Sequence, residues 1–174
     1  ARGKLYDANG VELWSYVGDK EVWFSSVANI DNDSQPEVIL SIPAWSTVPE
    51  KSSFVALEAN GNVKWEVNNL SNPGGGVQAI SNFLGAKNIG IVYSGFNAID
   101  MYNNDGQLVW SVPSSDSSGQ VGVSAYDFNG DGIDEVIVQN HSTVRVLNGV
   151  DGEVLSTVAN SSATLWEYPM VVDL

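Results

Sequence analysis

Two short stretches place oxygen-bearing side chains at every second position. In DFNGDGIDE these are Asp127, Asn129 and Asp131, then Gly132, the backbone carbonyl of Ile133, and Glu135 at the ninth position. Alternation turns successive oxygens to one side of a curling backbone, and the glycine permits the φ > 0 turn that closes the loop. Hard oxygen donors at about 2.3–2.6 Å from a shared centre suit calcium, and suit neither zinc nor copper. NIDNDSQPE supplies Asn29, Asp31, Asp33, the Gln35 carbonyl and Glu37 in the same order, with Ser34 where the glycine stands. A non-glycine residue at φ > 0 costs on the order of 1 kcal/mol, so the expectation is one firm calcium site at 127–135 and a weaker one at 29–37. The equivalent stretch around Asn82 has Leu84, Ala86 and Gly90 in the ligand places and offers no metal site. A lone match of this kind more often marks a turn. Here it occurs twice, with the ninth-position acid each time. A cation wrapped by five protein groups leaves little room for substrate, so a structural role is expected.

Nothing else reads as catalytic. There is no cysteine to act as nucleophile or thiolate ligand, and the single histidine, His141, sits in the short connection QNHST. The remaining carboxylates fall in turns or at alternating strand positions, and the seven lysines and arginines are scattered. No catalytic residue is assigned. Candidate ligand contacts are Trp45, in the inserted loop IPAWSTVPEKSS, with Asp116 and His141 as polar neighbours. A tryptophan with two prolines in a long polar loop suits either of two roles, covering a neighbouring blade, which is the commoner one, or contacting a sugar or protein surface.

The elements that position these loops repeat. Asn9-Gly10, Asn60-Gly61, Asp105-Gly106 and Asp151-Gly152 mark hairpins, and their chemistry predicts type I′ turns with φ > 0 at both central residues. The glycines lie 51, 45 and 46 residues apart, and the first three are followed four residues later by Trp14, Trp65 and Trp110, with Ser156 in the fourth place. The first loop positions, Asn29, Asn82, Asp127 and Asp173, keep step at 53, 45 and 46. No stretch of ten residues holds a helical apolar period. A period of this length in an all-β chain predicts four-stranded propeller blades. Residues 1–17 parse as the outer hairpin of a partial blade, 22–68, 76–112 and 120–158 as three full blades, and 166–174 as the first strand of a next one. The expectation is therefore a fragment of a larger β-propeller, with the repeating tryptophans packing between sheets.

The motifs DFNGDGIDEVIV and NIDNDSQPEVIL, with the hairpins LNGVDGEVL and LEANGNVKW, resemble FG-GAP and VCBS-type repeats, similar to the β-propeller of integrin α subunits. The resemblance spans nearly all of the chain and departs from the pattern at Asn29, Ser34 and the loop around Leu84. It implies an extracellular or cell-surface calcium-stabilised module with a binding, adhesion or scaffolding role toward a protein or glycan, or toward further blades of the same parent protein. The alternative it implies is the propeller part of a polysaccharide lyase or hydrolase of the rhamnogalacturonan lyase type. Seven basic against 21 acidic residues give a net charge of −14, which repels nucleic acid and anionic membranes. No apolar run approaches a membrane span, so no membrane insertion is expected.

Overall fold

The computed structural model describes residues 2–17, 21–31, 33–42, 52–86, 88–114, 116, 119–162 and 167–172, and over these the chain is all β. Strands β1 (Arg2–Tyr6) and β2 (Glu12–Val17) form a two-stranded sheet. Three four-stranded antiparallel sheets follow: β3 (Phe24–Ala28), β4 (Glu37–Ile42), β5 (Ser53–Leu57) and β6 (Val63–Asn68); β7 (Gln78–Ser81), β8 (Gly90–Ser94), β9 (Ala98–Asn103) and β10 (Leu108–Pro113); β11 (Gly122–Tyr126), β12 (Glu135–Gln139), β13 (Thr143–Leu147) and β14 (Val154–Ala159). Each sheet runs in chain order, as a propeller blade does, and the first strands β3, β7 and β11 approach one another.

In the first two four-stranded blades nearly all apolar residues of the second and third strands are buried on both faces, because blades stack face to face, whereas β13 of the last blade is half-buried except at Leu147. One core, with Leu40, Ile42, Val55 and Leu57, packs under Trp14 and Tyr16 of the two-stranded sheet. A second joins Ile39 and Phe54 to Ile91, Tyr93 and Tyr102 of the next blade, with Phe54 edge-on to Tyr93 at 5.3 Å between centroids. A third joins Val92, Ile99 and Met101 to Val123, Val136 and Val138.

The hairpins differ from the type I′ expectation. Gly10, Gly61, Gly106 and Gly152 have φ between +75° and +85°, whereas the residue before each is not in the left-handed region. Gly10 N–H donates to Asp7 O and Asp7 N–H to Val11 O; Glu58 with Asn62 and Asn103 with Gln107 repeat this pattern. These are type I turns closed by a left-handed glycine and a bulge, seen as register shifts at Leu5/Tyr6, Ala56/Leu57 and Leu108/Trp110. The cause is the corner residue. Asp7 and Asn103 accept backbone N–H bonds from residues two and four further on, a local turn that holds the next residues in right-handed conformation.

The repeating tryptophans are more specific than packing residues. Trp14, Trp65 and Trp110 each donate their indole N–H at 2.8 Å to a carbonyl in the hairpin of the following blade: Ala59, Asn104 and Gly149. Each ring lies flush on that hairpin's glycine, where an added Cβ would come within 2.7 Å of Trp14 at Gly61, 2.8 Å of Trp65 at Gly106 and 2.9 Å of Trp110 at Gly152.

Candidate metal centre

In an antiparallel meander of four strands, the connection between strands one and two and the hairpin between three and four emerge at the same end. That parity places the loop before β4 beside the β5–β6 hairpin. Asp31, Asp33 and Glu37 from the loop converge with Glu58 from the hairpin, each offering a carboxylate oxygen, all within 4.8 Å of one another. Among the described residues this is the group of acids gathered tightly enough to hold a metal ion. The donor set is all oxygen, as calcium requires.

Glu37 is fully buried; its Oε2 accepts the Ile30 backbone N–H at 2.9 Å, while Oε1 is buried with no hydrogen-bond partner. Burial raises its pKa, the Ile30 bond opposing. An orphaned buried carboxylate oxygen is costly unless a cation or donor meets it, so these residues fit a cation. One positive group is already there. Lys64 on β6 bonds Asp31 at 2.5 Å and Glu58 at 3.0 Å; these bonds raise the lysine pKa well above its ordinary value and lower that of Asp31.

Ser34 does not adopt the left-handed conformation that was expected to weaken this loop; the non-glycine residues with positive φ, among those described, are Asn69 and Ala86. The first loop takes a path that needs no glycine there. Asn29 donates its amide to the Asp33 carbonyl at 2.5 Å, and Asp33 accepts the Gln35 N–H at 2.6 Å.

In the second loop, Gly130 and Gly132 are both left-handed, and Asp127 accepts N–H bonds from Gly130, Asp131 and Gly132. Asn129 Oδ1 accepts the Asp131 N–H and Asp131 accepts the Ile133 N–H, both at 2.8 Å. Glu135 repeats the role of Glu37: it is buried and accepts the Phe128 N–H at 2.8 Å. The loop is wound as a ligand loop is, but its three carboxylates do not converge as those of the first loop do. The neighbouring hairpin adds no carboxylate, since its corner residue is Asn148, which caps Val150 of its own turn. The loop without metal ligands packs against it: Asn82 donates its amide to the Gly132 carbonyl and Ser81 bonds Asp134.

At the opposite end the structure brings Asp116 and His141 together. Asp116 is buried, accepts the His141 backbone N–H at 3.3 Å, and lies 3.5 Å from the half-exposed imidazole Nδ1. Trp45 lies outside the described residues.

Glu58, Lys64 and Asn82 were missed from sequence. The signal for Glu58 was its place at the first corner of the hairpin, where the other repeats carry Asp7, Asn103 and Asn148. Lys64 stands where they carry Leu13, Val109 and Leu155.

No family model and no curated protein matches the chain. Among solved structures, the V. cholerae biofilm matrix protein Bap1 is similar over 99% of this chain and 54% of that one, at 30% identity and a TM-score of 0.89. BBS1N, solved in complex with ARL6DN, is similar over 88% of this chain and 41% of its own, at 12% identity and a TM-score of 0.62. The Dos1 propeller is similar over 94% and 43%, at 12% identity and a TM-score of 0.58. The last two show the propeller fold alone. The chain spans about half the length of the matrix protein it resembles.

Proposed function

We propose that the chain is part of an extracellular, calcium-stabilised β-propeller with a binding, adhesion or scaffolding role. The observation that carries it is the convergence of Asp31, Asp33, Glu37 and Glu58 around the orphaned Glu37 oxygen, on the rim that also bears the Asp127–Glu135 loop. A divalent ion held there fixes the rim loops and supplies no chemistry beyond charge and coordination. The likeness to a biofilm matrix protein along almost the whole chain supports a matrix or surface role. A glycan or protein contact is assigned to Asp116 and His141 at the opposite end, with Trp45 assigned from the sequence alone.

The test is thermal unfolding with calcium chloride and with chelator. A ligand that binds only the folded state stabilises it by RT ln(1 + [L]/Kd), about 2.7 kcal/mol at a hundredfold excess over Kd. A raised midpoint in calcium is expected, reduced by Asp131→Ala and by Asp33→Ala; identical curves would remove calcium from the proposal. For the ligand, a polysaccharide and cell-surface binding screen is run with Trp45→Ala alongside, and undiminished binding of that variant would move the contact elsewhere.

A further inference from the structure

The first loop already contains a cation, and it is covalently attached. We propose that Lys64 is a tethered counter-ion that holds the first site closed until a divalent cation displaces it, with Glu58 then serving as the ligand that the loop itself lacks. This rests on the reading of the 29–37 loop as a calcium site.

The observations are independent of the loop motif. Lys64 reaches across from β6 to bond Asp31, 33 residues away in sequence, and Glu58. It thereby pins together a loop acid and a hairpin acid that would otherwise repel. A single ammonium stands against four carboxyl groups, and Glu37 Oε1 remains buried without a partner although the lysine is present. An ammonium is a point charge with three donors and satisfies two carboxylates here. A calcium ion takes six to eight oxygens and can satisfy all four. Calcium and the ammonium draw on the same carboxylates and repel each other, so binding is expected to loosen the Lys64–Asp31 pair.

The pairing is particular to this blade. Only in this repeat does the hairpin corner carry a residue long and acidic enough to leave its own turn, and only here does a lysine replace the aliphatic residue before the repeating tryptophan. The equivalents Leu13, Val109 and Leu155 are exposed, so the strand position itself demands no charge. Asn148, the corner residue beside the second loop, has no carboxylate to offer, and that loop has no lysine counterpart. The two loops therefore differ in kind: the second is an open ligand loop, and the first a loop with a built-in competitor.

The experiment uses calcium chloride titrations followed by calorimetry, in the 174-residue chain carrying Asp131→Ala to silence the second loop. Removing a like charge from beside the ion is expected to tighten calcium binding on the order of tenfold in Lys64→Met, and Glu58→Gln to weaken it by a similar factor. Thermal unfolding of the same variants supplies a sign test. Lys64→Met is expected to lower the midpoint in chelator, because four carboxylates lose their counter-charge, and to match or exceed its parent in saturating calcium. A lysine that merely forms surface ion pairs would lower the midpoint, or leave it alone, in both conditions. Lys64→Arg, which keeps the charge, is expected not to tighten binding, and Lys64→Gln repeats the main comparison if the Met variant fails to fold. Calcium binding unchanged or weaker in Lys64→Met and Lys64→Gln overturns the competitor role, and undiminished binding in Glu58→Gln overturns the ligand role. If no variant in the Asp131→Ala background binds calcium, the first-loop reading fails and takes the inference with it. Titration of the chain without Asp131→Ala, where the second loop still binds, tells that result apart from failure of calcium binding altogether.

Discussion

Glu37 and Glu135 each divide their two oxygens between tasks. One oxygen caps a loop N–H, of Ile30 or Phe128; the other is buried without a partner in Glu37 and accepts the Asn129 amide in Glu135. The ninth-position acid is thus part of the loop's own fold before any ion arrives, and both copies are buried. Asp100 on β9 is a further buried carboxylate. Burial raises its pKa against the opposing hydrogen bonds of Ser111 and Asn72, and its Oδ2 has no partner. Because the folded value stands above the unfolded one, the folded chain holds this proton better. The stability it contributes is complete below the ordinary carboxylate range and is lost as pH rises through the raised value. Asp100→Asn keeps the shape and removes the charge, so it is expected to raise the thermal midpoint at pH 8 by about 2–4 °C, the shift that ~1 kcal/mol produces in a chain of this size. Near pH 4 the gain is expected to shrink; an equal gain at both values would show that charge burial is not the cause.

The hairpin is the element on which the blades are joined. Its left-handed glycine closes the turn and also presents a flat backbone face to the preceding blade's indole, two demands met by the absence of one Cβ. The copies separate them. Gly106 has φ +75° and the ring of Trp65 within 2.8 Å of an added Cβ, whereas Gly10 has φ +80° and nothing within 4 Å. Gly10→Ala is therefore expected to cost about 1–2 kcal/mol from backbone strain alone. Gly106→Ala carries the same strain and also pushes the indole off its seat, so it is expected to cost at least ~1 kcal/mol more. Denaturant midpoints of the two variants make the comparison, and equal losses would mean that the Trp65 contact contributes nothing. Trp65→Phe, which keeps a ring but leaves the Asn104 carbonyl without its donor, should cost on the order of 1–3 kcal/mol.

Across the whole molecule, a net charge of −14 is spread over an all-β scaffold whose loop acids crowd one rim. Self-repulsion destabilises the compact state, and salt screens it. Raising sodium chloride to about 0.5 M, where the Debye length falls below roughly 5 Å, is expected to raise the calcium-free midpoint and to shrink the increment that calcium adds. An increment independent of salt would place the ion in a site shielded from the general field.

What the sequence determined by itself was everything local. Alternating apolar residues, the Asn-Gly and Asp-Gly corners and a period near 46 residues specify strands, hairpins and blades, because turn chemistry and side-chain alternation act over a few residues. The two nine-residue loops were legible for the same reason, down to Glu37 and Glu135. Tertiary structure decided what meets them. Glu58 and Lys64 enter the first loop because antiparallel parity returns the third-to-fourth-strand hairpin to the same rim, and Lys64 there lies 33 residues from Asp31. Asn82 braces the second loop from the neighbouring blade, 50 residues before Gly132, and Trp14 reaches a carbonyl 45 residues ahead. Such contacts depend on how one twisted sheet stacks on the next, and no short window of sequence carries that angle. The turn type was also misjudged from the Asn-Gly dipeptide, since the Asp or Asn two or three places earlier, bonding forward along the backbone, selects the type I turn and bulge.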